Sequence, residues 1–169
     1  MWGIGAAICI TFLLPAFATS VAYALSDPLL DSAAGRNWPS YGRSYGEQHY
    51  SPLDQINEHN VSRLRLAWSL DLQPGGTTTQ AIEIDGVLYF AMGYSVVHAV
   101  DASSGKLLWK FDPETYKTAA QKMRMGWGSR GIGWWHGKVY TVTQDGYVIA
   151  LDAKKGPPPL DDADPHRSG

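Results

Sequence analysis

The sequence contains a single cysteine, Cys9, among its 169 residues. Because Cys9 lies in an apolar N-terminal run, the rest of the chain has no thiol for a disulfide or a cysteine-based metal site, and no Cys-x-x-Cys-His motif attaches a haem. Charge is also sparse, since charged residues make up 18% of the chain and the net charge is -2. A chain without a basic field is poorly suited to a polyphosphate backbone, which argues against nucleic-acid binding.

The first 26 residues carry no charged side chain. Ile8 to Phe17 is apolar, and the triplets Ala16-Phe17-Ala18 and Ala22-Tyr23-Ala24 have the small-x-small pattern of a signal-peptide cleavage site. We therefore interpret residues 1–24 as a signal peptide. An uncleaved membrane anchor is the alternative, because the uncharged run is long enough to span a bilayer. Both interpretations predict export, and the second adds membrane association through residues 1–24.

Glycine and aromatic residues are abundant, with 18 Gly, nine Tyr and seven Trp. Glycine weakens helices, and aromatic side chains favour the pleated surface of a strand. The composition therefore predicts an all-β fold built from short strands and tight turns.

The stretch that begins at Ile84 is repeated from Trp135 with a constant offset of about 51 positions and no gap. The matched pairs are Gly86 and Gly137, Tyr89 and Tyr140, Val97 and Val148, Ala99 and Ala150, Asp101 and Asp152, and Gly105 and Gly156. Each copy has the pattern of a strand, a glycine turn, a second strand and an Asp-Ala-x-x-Gly turn. Because such a unit buries only one face of a small sheet by itself, it requires neighbours on both sides.

The end of each copy carries residues suited to joining neighbouring sheets. Asp101 can accept backbone N–H groups across its own turn, Gly105 can adopt a positive φ, and Trp109 can cover apolar surface on the adjacent unit. The second copy keeps the aspartate and the glycine but has Leu160 in place of the tryptophan, after three prolines. Since proline cannot donate to a strand ladder, we expect the outer strand to fail there and residues 157–169 to form an irregular tail.

The chain between the apolar run and the first repeat divides into three segments. Residues 25–36 are a mixed, small-residue stretch that we interpret as a linker. Residues 37–57 are dense in Gly, Ser, Pro and Tyr without periodicity, which predicts an irregular loop pinned by aromatic side chains. Residues 60–72 alternate between apolar and polar positions, which predicts a half-buried strand that includes Trp68.

These residues resemble a known family. Asn37 to Arg43, NWPSYGR, and Tyr50 to Asn57, YSPLDQIN, are similar to the mature N-terminus of pyrroloquinoline quinone (PQQ)-dependent alcohol dehydrogenases, periplasmic quinoproteins related to methanol and ethanol dehydrogenase. Ala99 to Trp109, AVDASSGKLLW, is similar to that family's tryptophan-docking motif. The resemblance implies a β-propeller of about eight four-stranded blades. Residues 37–156 would form about two of these blades and an N-terminal strand of the closing blade.

The resemblance also implies a cofactor site between the two copies, in Lys117 to Trp134. The family's loop ends in an Asn-Arg-Gly triplet whose arginine binds the carboxylates of PQQ, and this chain has Ser129-Arg130-Gly131 there. A guanidinium suits a planar tricarboxylate because it stays charged and offers paired N–H donors. A loop arginine that faces solvent is the alternative.

Two positions depart from the family's pattern. Arg124-Met125 stands where the family has adjacent cysteines whose disulfide stacks on the quinone, and the sulfur of Met125 could instead cover a ring face. Thr78 aligns with a glutamate that touches the cofactor, and a threonine can donate a hydrogen bond but brings no charge. We therefore interpret Arg130 as the main cofactor anchor and Thr78, Met125 and Ser129 as further candidates in a divergent branch.

By resemblance, the chain is the N-terminal portion of an exported, periplasmic enzyme that oxidises alcohols with PQQ and Ca²⁺ and passes electrons to a cytochrome-type acceptor. The family's catalytic aspartate and calcium ligands come from later blades. We therefore expect no catalytic residue and no metal ligand in this chain. The alternatives are a non-catalytic PQQ-like-repeat scaffold of the outer-membrane assembly type, and a truncated fragment that is inactive alone.

Other motifs are less specific. Gly126-x-Gly128-x-x-Gly131 follows no strand of a βαβ unit and precedes no helix, so it does not predict a dinucleotide site. The acidic residues of the tail lack the ligand spacing of a calcium loop. The histidines are scattered without a second ligand at metal spacing. We expect each to be a turn or surface residue: His49, His59, His98, His136 and His166.

Overall fold

The computed structural model describes residues 36–44, 46–72, 79–119 and 131–158. They contain seven β-strands in two antiparallel sheets, one short α-helix and single turns of 3-10 helix at Val61–Arg63 and Gly93–Ser95. The bounds are β1 (Ile82–Ile84), β2 (Val87–Ala91), β3 (Val97–Asp101), β4 (Leu107–Phe111), α1 (Thr115–Ala119), β5 (Gly133–Trp135), β6 (Lys138–Val142) and β7 (Val148–Asp152). The all-β prediction is confirmed.

The first sheet is four-stranded, in the order β1-β2-β3-β4. Asp85-Gly86 forms the two-residue connection from β1 to β2, with φ angles of 51° and 81°. Two positive φ angles match the right-handed twist of a hairpin, which explains the Asp-Gly sequence. The register pairs Ile82 with Tyr89, Tyr89 with Ala99, and Ala99 with Trp109. These residues therefore form one row across a single face of the sheet.

The second sheet, in the order β5-β6-β7, repeats the first. Its register pairs Gly133 with Tyr140 and Tyr140 with Ala150, which corresponds to the row Ile82, Tyr89 and Ala99 at the offset of about 51 positions. No fourth strand pairs with β7 within the described range 131–158. Of the two four-stranded blades predicted, the first thus has four strands and the second has three described strands. The prediction that the outer strand fails after the prolines concerns positions that lie almost entirely outside the described residues, and it stays a prediction.

The two sheets pack against each other around one apolar core. Because side chains alternate between the faces of a strand, every second residue of β2, β3 and β6 points into this core. Its members are exposed by 5% or less: Ile82, Ile84, Tyr89, Ala91, Val97 and Ala99 from the first sheet, and Val139, Leu151 and Ala153 from the second sheet and its turn. The repeated units are therefore adjacent blades, as predicted.

Trp109 of β4 joins the first sheet to the second. Its indole Nε1–H donates a 3.0 Å hydrogen bond to the carbonyl of Ala153. Its ring lies against Gly156, where an added Cβ would come within 2.7 Å of the indole. Asp152 shapes the same turn, because its Oδ1 accepts the N–H groups of the two lysines that follow Ala153. The predicted joint action of aspartate, glycine and tryptophan is confirmed.

Residues 60–72 do not form the predicted strand. Val61–Arg63 is a turn of 3-10 helix, and residues 64–72 pair with no strand in the described part of the chain. Leu66, predicted to be on the buried side, is 83% exposed. The prediction is wrong because an alternating pattern is typical of a strand, but a strand also requires a neighbour for its backbone groups. The other strands of the sheet to which this segment would belong are not among the described residues.

Trp68 nevertheless docks in the manner of Trp109. Its Nε1–H donates a 2.9 Å hydrogen bond to the carbonyl of Ala102. An added Cβ at Gly105, where φ is 73°, would come within 2.5 Å of its ring. The segment 64–72 is therefore attached to the first sheet by the same device that attaches the first sheet to the second.

Residues 37–57 form the irregular loop that was predicted. Within its described residues only Trp38 joins a sheet, through a single antiparallel bridge to Glu83 at the edge of β1. The Trp38 indole donates to the carbonyl of Tyr41 over 3.2 Å, and the Tyr41 ring meets His49 edge to face at 5.1 Å. Aromatic side chains thus hold the loop together.

Candidate functional site

The antiparallel topology gives the pair of sheets two different ends. Short turns join β1 to β2, β3 to β4 and β5 to β6 at one end, which we call the turn end. The connections 92–96 and 143–147 lie at the opposite end, which we call the loop end. Helix α1 follows β4 at the loop end and lies against Gly93–Ser95. Loops held at one end of a rigid scaffold commonly carry binding residues.

The residues predicted to bind the cofactor lie outside the described residues: Thr78, Met125, Ser129 and Arg130. Their described sequence neighbours are Thr79 and Gly131. Thr79 is buried beside the last residue of β2, where its N–H donates to the carbonyl of Ala91 over 2.8 Å and its Oγ1 accepts the Ala91 N–H over 3.0 Å. Gly131 lies two residues before β5, which begins at the loop end. The roles of the four residues stay predictions.

Ser95 connects the two sheets at the loop end. It is fully buried, and its hydroxyl donates a 3.0 Å hydrogen bond to the carbonyl of Val142 in β6. Its φ is 62°, in the left-handed region that costs a non-glycine residue about 1–2 kcal/mol. The repeat-related position in the second sheet is Gly146, with φ of 97°. Ser95 thus occupies a glycine-type position, where its side chain makes a contact that glycine lacks.

Tyr94 and Tyr116 form an exposed aromatic pair at the loop end. Their ring centroids are 5.9 Å apart at 71°, and the residues are 37% and 42% exposed. The Nζ of Lys117 lies 5.9 Å from the Tyr116 ring and 2.7 Å from the Oε1 of Glu114. Aromatic rings and an ammonium suit a flat acidic ligand, but Lys117 is already paired with a carboxylate. The described residues therefore fit PQQ only in part, because the predicted guanidinium anchor is not among them.

Sequence reasoning did not identify Tyr94, Ser95 or Tyr116. For Ser95 a signal existed, because the repeat sets it opposite a glycine and a turn that requires glycine in one copy is expected to require a positive φ in the other. The contact between Tyr94 and Tyr116 joins two loops that no local pattern connects. It could not have been found from spacing.

The acidic turns at the turn end are structural. The Oδ1 of Asp101 accepts hydrogen bonds of 2.6 to 3.1 Å from the hydroxyls and N–H groups of Ser103 and Ser104, and these bonds lower the pKa of Asp101 to about 2. Backbone N–H groups, that of Lys155 first, also lower the pKa of Asp152. Both carboxylates are ionised at neutral pH and engaged in their own turns. Across the described ranges, no three or more His, Cys, Asp or Glu side chains group as metal ligands.

His98 contradicts the prediction that every histidine is a turn or surface residue. It lies within β3, is 7% exposed and stacks on Phe90 with ring centroids 5.2 Å apart. Burial first, and then repulsion from Lys110, lowers the pKa of His98, so the imidazole is neutral near pH 7. The strand pattern on both sides of it was the signal for burial. Of the other histidines, those exposed are His49, His59 and His136, and His166 lies outside the described residues.

Membrane contact was predicted only for residues 1–24, which lie outside the described ranges. Among the helices within those ranges, none has the length and apolar character needed to cross a bilayer. The prediction for residues 1–24 therefore stays a prediction.

Comparison with known proteins agrees with this geometry. The family model described as glucose/ethanol/alcohol dehydrogenase, beta-propeller domain, matches residues 38–161. The chain is 51% identical over 121 residues to the dehydrogenase subunit of alcohol dehydrogenase (quinone) of Komagataeibacter europaeus, a match that covers 71% of this chain and 16% of that protein. It is 48% identical over 124 residues to quinohemoprotein alcohol dehydrogenase ADH IIB of Pseudomonas putida, covering 73% and 18%.

Solved structures show the same relationship. The quinohemoprotein alcohol dehydrogenase of Comamonas testosteroni superposes with a TM-score of 0.67 at 40% identity, covering 73% of this chain and 19% of that one. A europium-containing methanol dehydrogenase superposes with a TM-score of 0.61 at 31% identity, covering 75% and 23%. The chain thus spans between 16% and 23% of the length of these relatives. Its sequence, its paired sheets and its docked tryptophans make it a member of the glucose/ethanol/alcohol dehydrogenase family of PQQ β-propeller proteins.

Proposed function

We propose that this chain is the N-terminal portion of an exported PQQ-dependent dehydrogenase that oxidises alcohols. The observation that carries the proposal is the pair of stacked sheets in which Trp68 and Trp109 dock on Asp-x-x-x-Gly turns, in a chain of this family. Relatives support the reaction class, since their names include alcohol dehydrogenase (quinone) and quinohemoprotein alcohol dehydrogenase. Because each is several times longer than this chain, the activity belongs to the whole protein.

In this proposal Arg130 binds the carboxylates of PQQ, with Thr78, Met125 and Ser129 beside the cofactor. Bound PQQ supplies the two-electron acceptor for the oxidation of the alcohol. The loop-end position of Thr79 and Gly131 supports this assignment, because it is the end at which the connections of both sheets converge. The Ca²⁺ ligands and the catalytic base lie outside this chain.

The described residues contribute rigidity. Trp109 fixes the turn end of one sheet against the next, and Ser95 fixes the loop end. Since the two contacts lie at opposite ends of the strands, the second sheet cannot pivot about either of them. A cofactor anchor carried between the sheets requires such a frame, because small displacements of a binding group reduce affinity strongly.

The proposal includes the cellular setting. Residues 1–24 direct export, so the enzyme is periplasmic, either free or held by that segment at the membrane. Electrons pass to a cytochrome c-type acceptor. One relative, 39% identical over 125 residues, is named 1-butanol dehydrogenase (cytochrome c) in Thauera butanivorans.

A dye-linked alcohol oxidation assay tests the reaction. The whole protein that contains this chain is prepared without cofactor and supplied with PQQ and Ca²⁺, together with a panel of primary and secondary alcohols. Activity that depends on PQQ supports the dehydrogenase. An absence of PQQ-dependent oxidation across the panel would instead support the non-catalytic scaffold.

PQQ affinity tests the anchor separately. Removing a charge-assisted hydrogen bond by Arg130→Ala should weaken PQQ binding about 10- to 100-fold, and Arg130→Lys should keep part of the affinity. Lys154→Ala, an exposed cation at the turn end, serves as the matched control and should leave binding unchanged. Activity with PQQ but unchanged affinity in Arg130→Ala would contradict the anchor and leave the reaction intact.

A further inference from the structure

The pairing between β1 and β2 shifts by one residue at the loop end. The register pairs Ile82 with Tyr89. An unbroken ladder would therefore place Gln80 opposite Ala91. The backbone N–H of Thr79 donates to the carbonyl of Ala91 instead, over 2.8 Å. Two residues on one side, Thr79 and Gln80, thus stand against one residue of β2, which is the arrangement of a β-bulge.

The burial of the side chains agrees with this shift. Since side chains alternate between the faces of a regular strand, Gln80 would share the core-facing side of Ile82 and Ile84. In the structure Gln80 is exposed and Thr79 is buried, with 8% exposure. A slip of one residue moves side chains to the opposite face, which explains the exchange. The amide of Gln80 consequently reaches the N-terminal loop, where it donates a 2.9 Å hydrogen bond to the carbonyl of Tyr41.

The hydroxyl of Thr79 holds the bulge in place. In a regular ladder the N–H of Ala91 would donate to a backbone carbonyl of the neighbouring strand. Here the Oγ1 of Thr79 accepts it over 3.0 Å. Both residues are buried, so an N–H left without this acceptor would destabilise the fold. The side chain of Thr79 therefore replaces the acceptor that the bulge takes away.

The bulge lies where the chain enters the first strand of its sheet. Strands β1 and β5 begin at the offset that relates the two copies of the repeat, and the same offset matches Thr79 with Arg130. Arg130 is the proposed anchor for PQQ, and the residue directly before Thr79 is Thr78, a further proposed contact. Both of these lie outside the described residues, so the correspondence is one of sequence position. It sets Thr79 at the first sheet's counterpart of the anchor position.

We propose that Thr79 is a positioning residue of the cofactor site. Its hydroxyl fixes the one-residue shift of the ladder, and the shift sets the point at which the chain joins the sheet. Because consecutive Cα atoms are about 3.8 Å apart, fixing Thr79 also restricts where Thr78 can lie. Bulges beside active sites commonly redirect a side chain in this way. The inference rests on the proposed function, since it requires that PQQ binds beside Thr78.

A role in stability alone does not account for the bulge. An unbroken ladder would satisfy the N–H of Ala91 with a backbone carbonyl, and it would require no particular side chain at position 79. The bulge gives up that bond and depends on a threonine hydroxyl to replace it. Its two residues are held from different sides, Thr79 by β2 and Gln80 by the carbonyl of Tyr41. The local structure is thus specified to hold the chain in one displaced position.

Calorimetric titration of PQQ into the whole protein that contains this chain, prepared without cofactor and with Ca²⁺ present, tests the role of Thr79. Thr79→Val keeps the size of the side chain but removes the acceptor, and it should weaken PQQ binding about 10-fold. Thr79→Ser keeps a hydroxyl and should retain most of the affinity. Asn37→Ala is the matched control, because the Oδ1 of Asn37 accepts the N–H of Asp85 over 3.2 Å at the turn end of β1. It should leave PQQ affinity unchanged.

A double-mutant cycle with Thr78 distinguishes positioning from a general loss of stability. If Thr79 acts through its neighbour, Thr79→Val should weaken PQQ binding much less in a Thr78→Ala background than in the wild-type background. Equal weakening in the two backgrounds, or unchanged affinity in Thr79→Val, would overturn the positioning role and leave the proposed function intact. A wild-type protein that binds no PQQ would overturn the proposed function and this inference with it.

Discussion

Tyr89 and Trp109 donate hydrogen bonds to the same acceptor, the carbonyl oxygen of Ala153, from 3.1 and 3.0 Å. Their rings are neighbours, with centroids 5.9 Å apart. Burial first, and then the charge of Asp85 and other nearby carboxylates, raises the pKa of Tyr89 to about 12, so its phenol remains a donor at every physiological pH. The contact between the sheets therefore combines apolar packing with a directional bond that the hydrophobic effect alone cannot provide.

The shared acceptor predicts non-additive mutational effects. Tyr89→Phe and Trp109→Phe should each cost about 1 kcal/mol, because Ala153 keeps one donor in either variant. The double variant should cost about 1 kcal/mol more than the sum, because the buried carbonyl then loses both donors. Urea unfolding at one protein concentration measures these differences, and Tyr50→Phe, at an exposed site, is the control. Additivity within about 0.3 kcal/mol would contradict the shared bond.

Substitutions at Gly156 and Gly137 distinguish the energetic cost of backbone strain from that of steric contact. Both have φ of 76°, but an added Cβ at Gly137 meets nothing within 4 Å, whereas at Gly156 it meets Trp109. Gly137→Ala should therefore cost about 1 kcal/mol from strain alone. Gly156→Ala should cost at least about 2 kcal/mol, because the tryptophan must also move. Chemical denaturation of the two variants under identical conditions gives the comparison. Equal losses of unfolding free energy would mean that Trp109 moves away from the added methyl group at no energetic cost.

Much of this architecture was predictable because the repeat encodes it locally. The spacing of Asp101 and Gly105 specifies the turn, and the gapless offset assigns the same strands and register to both sheets. The segment around Trp68 shows the limit of such reasoning. Its pattern is that of a strand, but pairing depends on residues far away in sequence. The first sheet binds the side chain of Trp68 at a turn and does not pair with the segment along a strand edge.

The residues of the candidate functional site were less predictable than the two sheets that support it. Arg130 was inferred by resemblance, and its position lies outside the described residues. Ser95 was missed because a serine in a turn looks ordinary until its φ and its distant acceptor are known. His98 was misassigned because histidine is on average a surface residue, whereas here both faces of β3 are buried.

Ser95 should respond differently to two substitutions. Ser95→Ala keeps the unfavourable φ and removes the hydroxyl, so it should cost about 1–2 kcal/mol by leaving the Val142 carbonyl without its donor. Ser95→Gly removes the same bond but relieves the backbone strain, so its cost should be smaller by about 1 kcal/mol. Urea unfolding checks the order of the two variants, with Ser69→Ala at an exposed position as the control. A larger loss of unfolding free energy for Ser95→Gly than for Ser95→Ala would show that the positive φ at Ser95 does not destabilise the fold.

His98 should make the fold less stable in mild acid. The pKa of His98 lies below its ordinary value of 6.5 because the ring is buried beside Phe90 and faces the charge of Lys110, so the unfolded chain binds a proton more readily than the folded one. Its contribution is complete above pH 6.5 and is lost as the pH falls through 6.5 toward the lower folded value. His98→Phe should flatten the decline of unfolding free energy between about pH 7 and 5. Urea titrations across this range measure the slope, and equal slopes in wild type and His98→Phe would mean that the imidazole is protonated as easily in the folded chain as in the unfolded one.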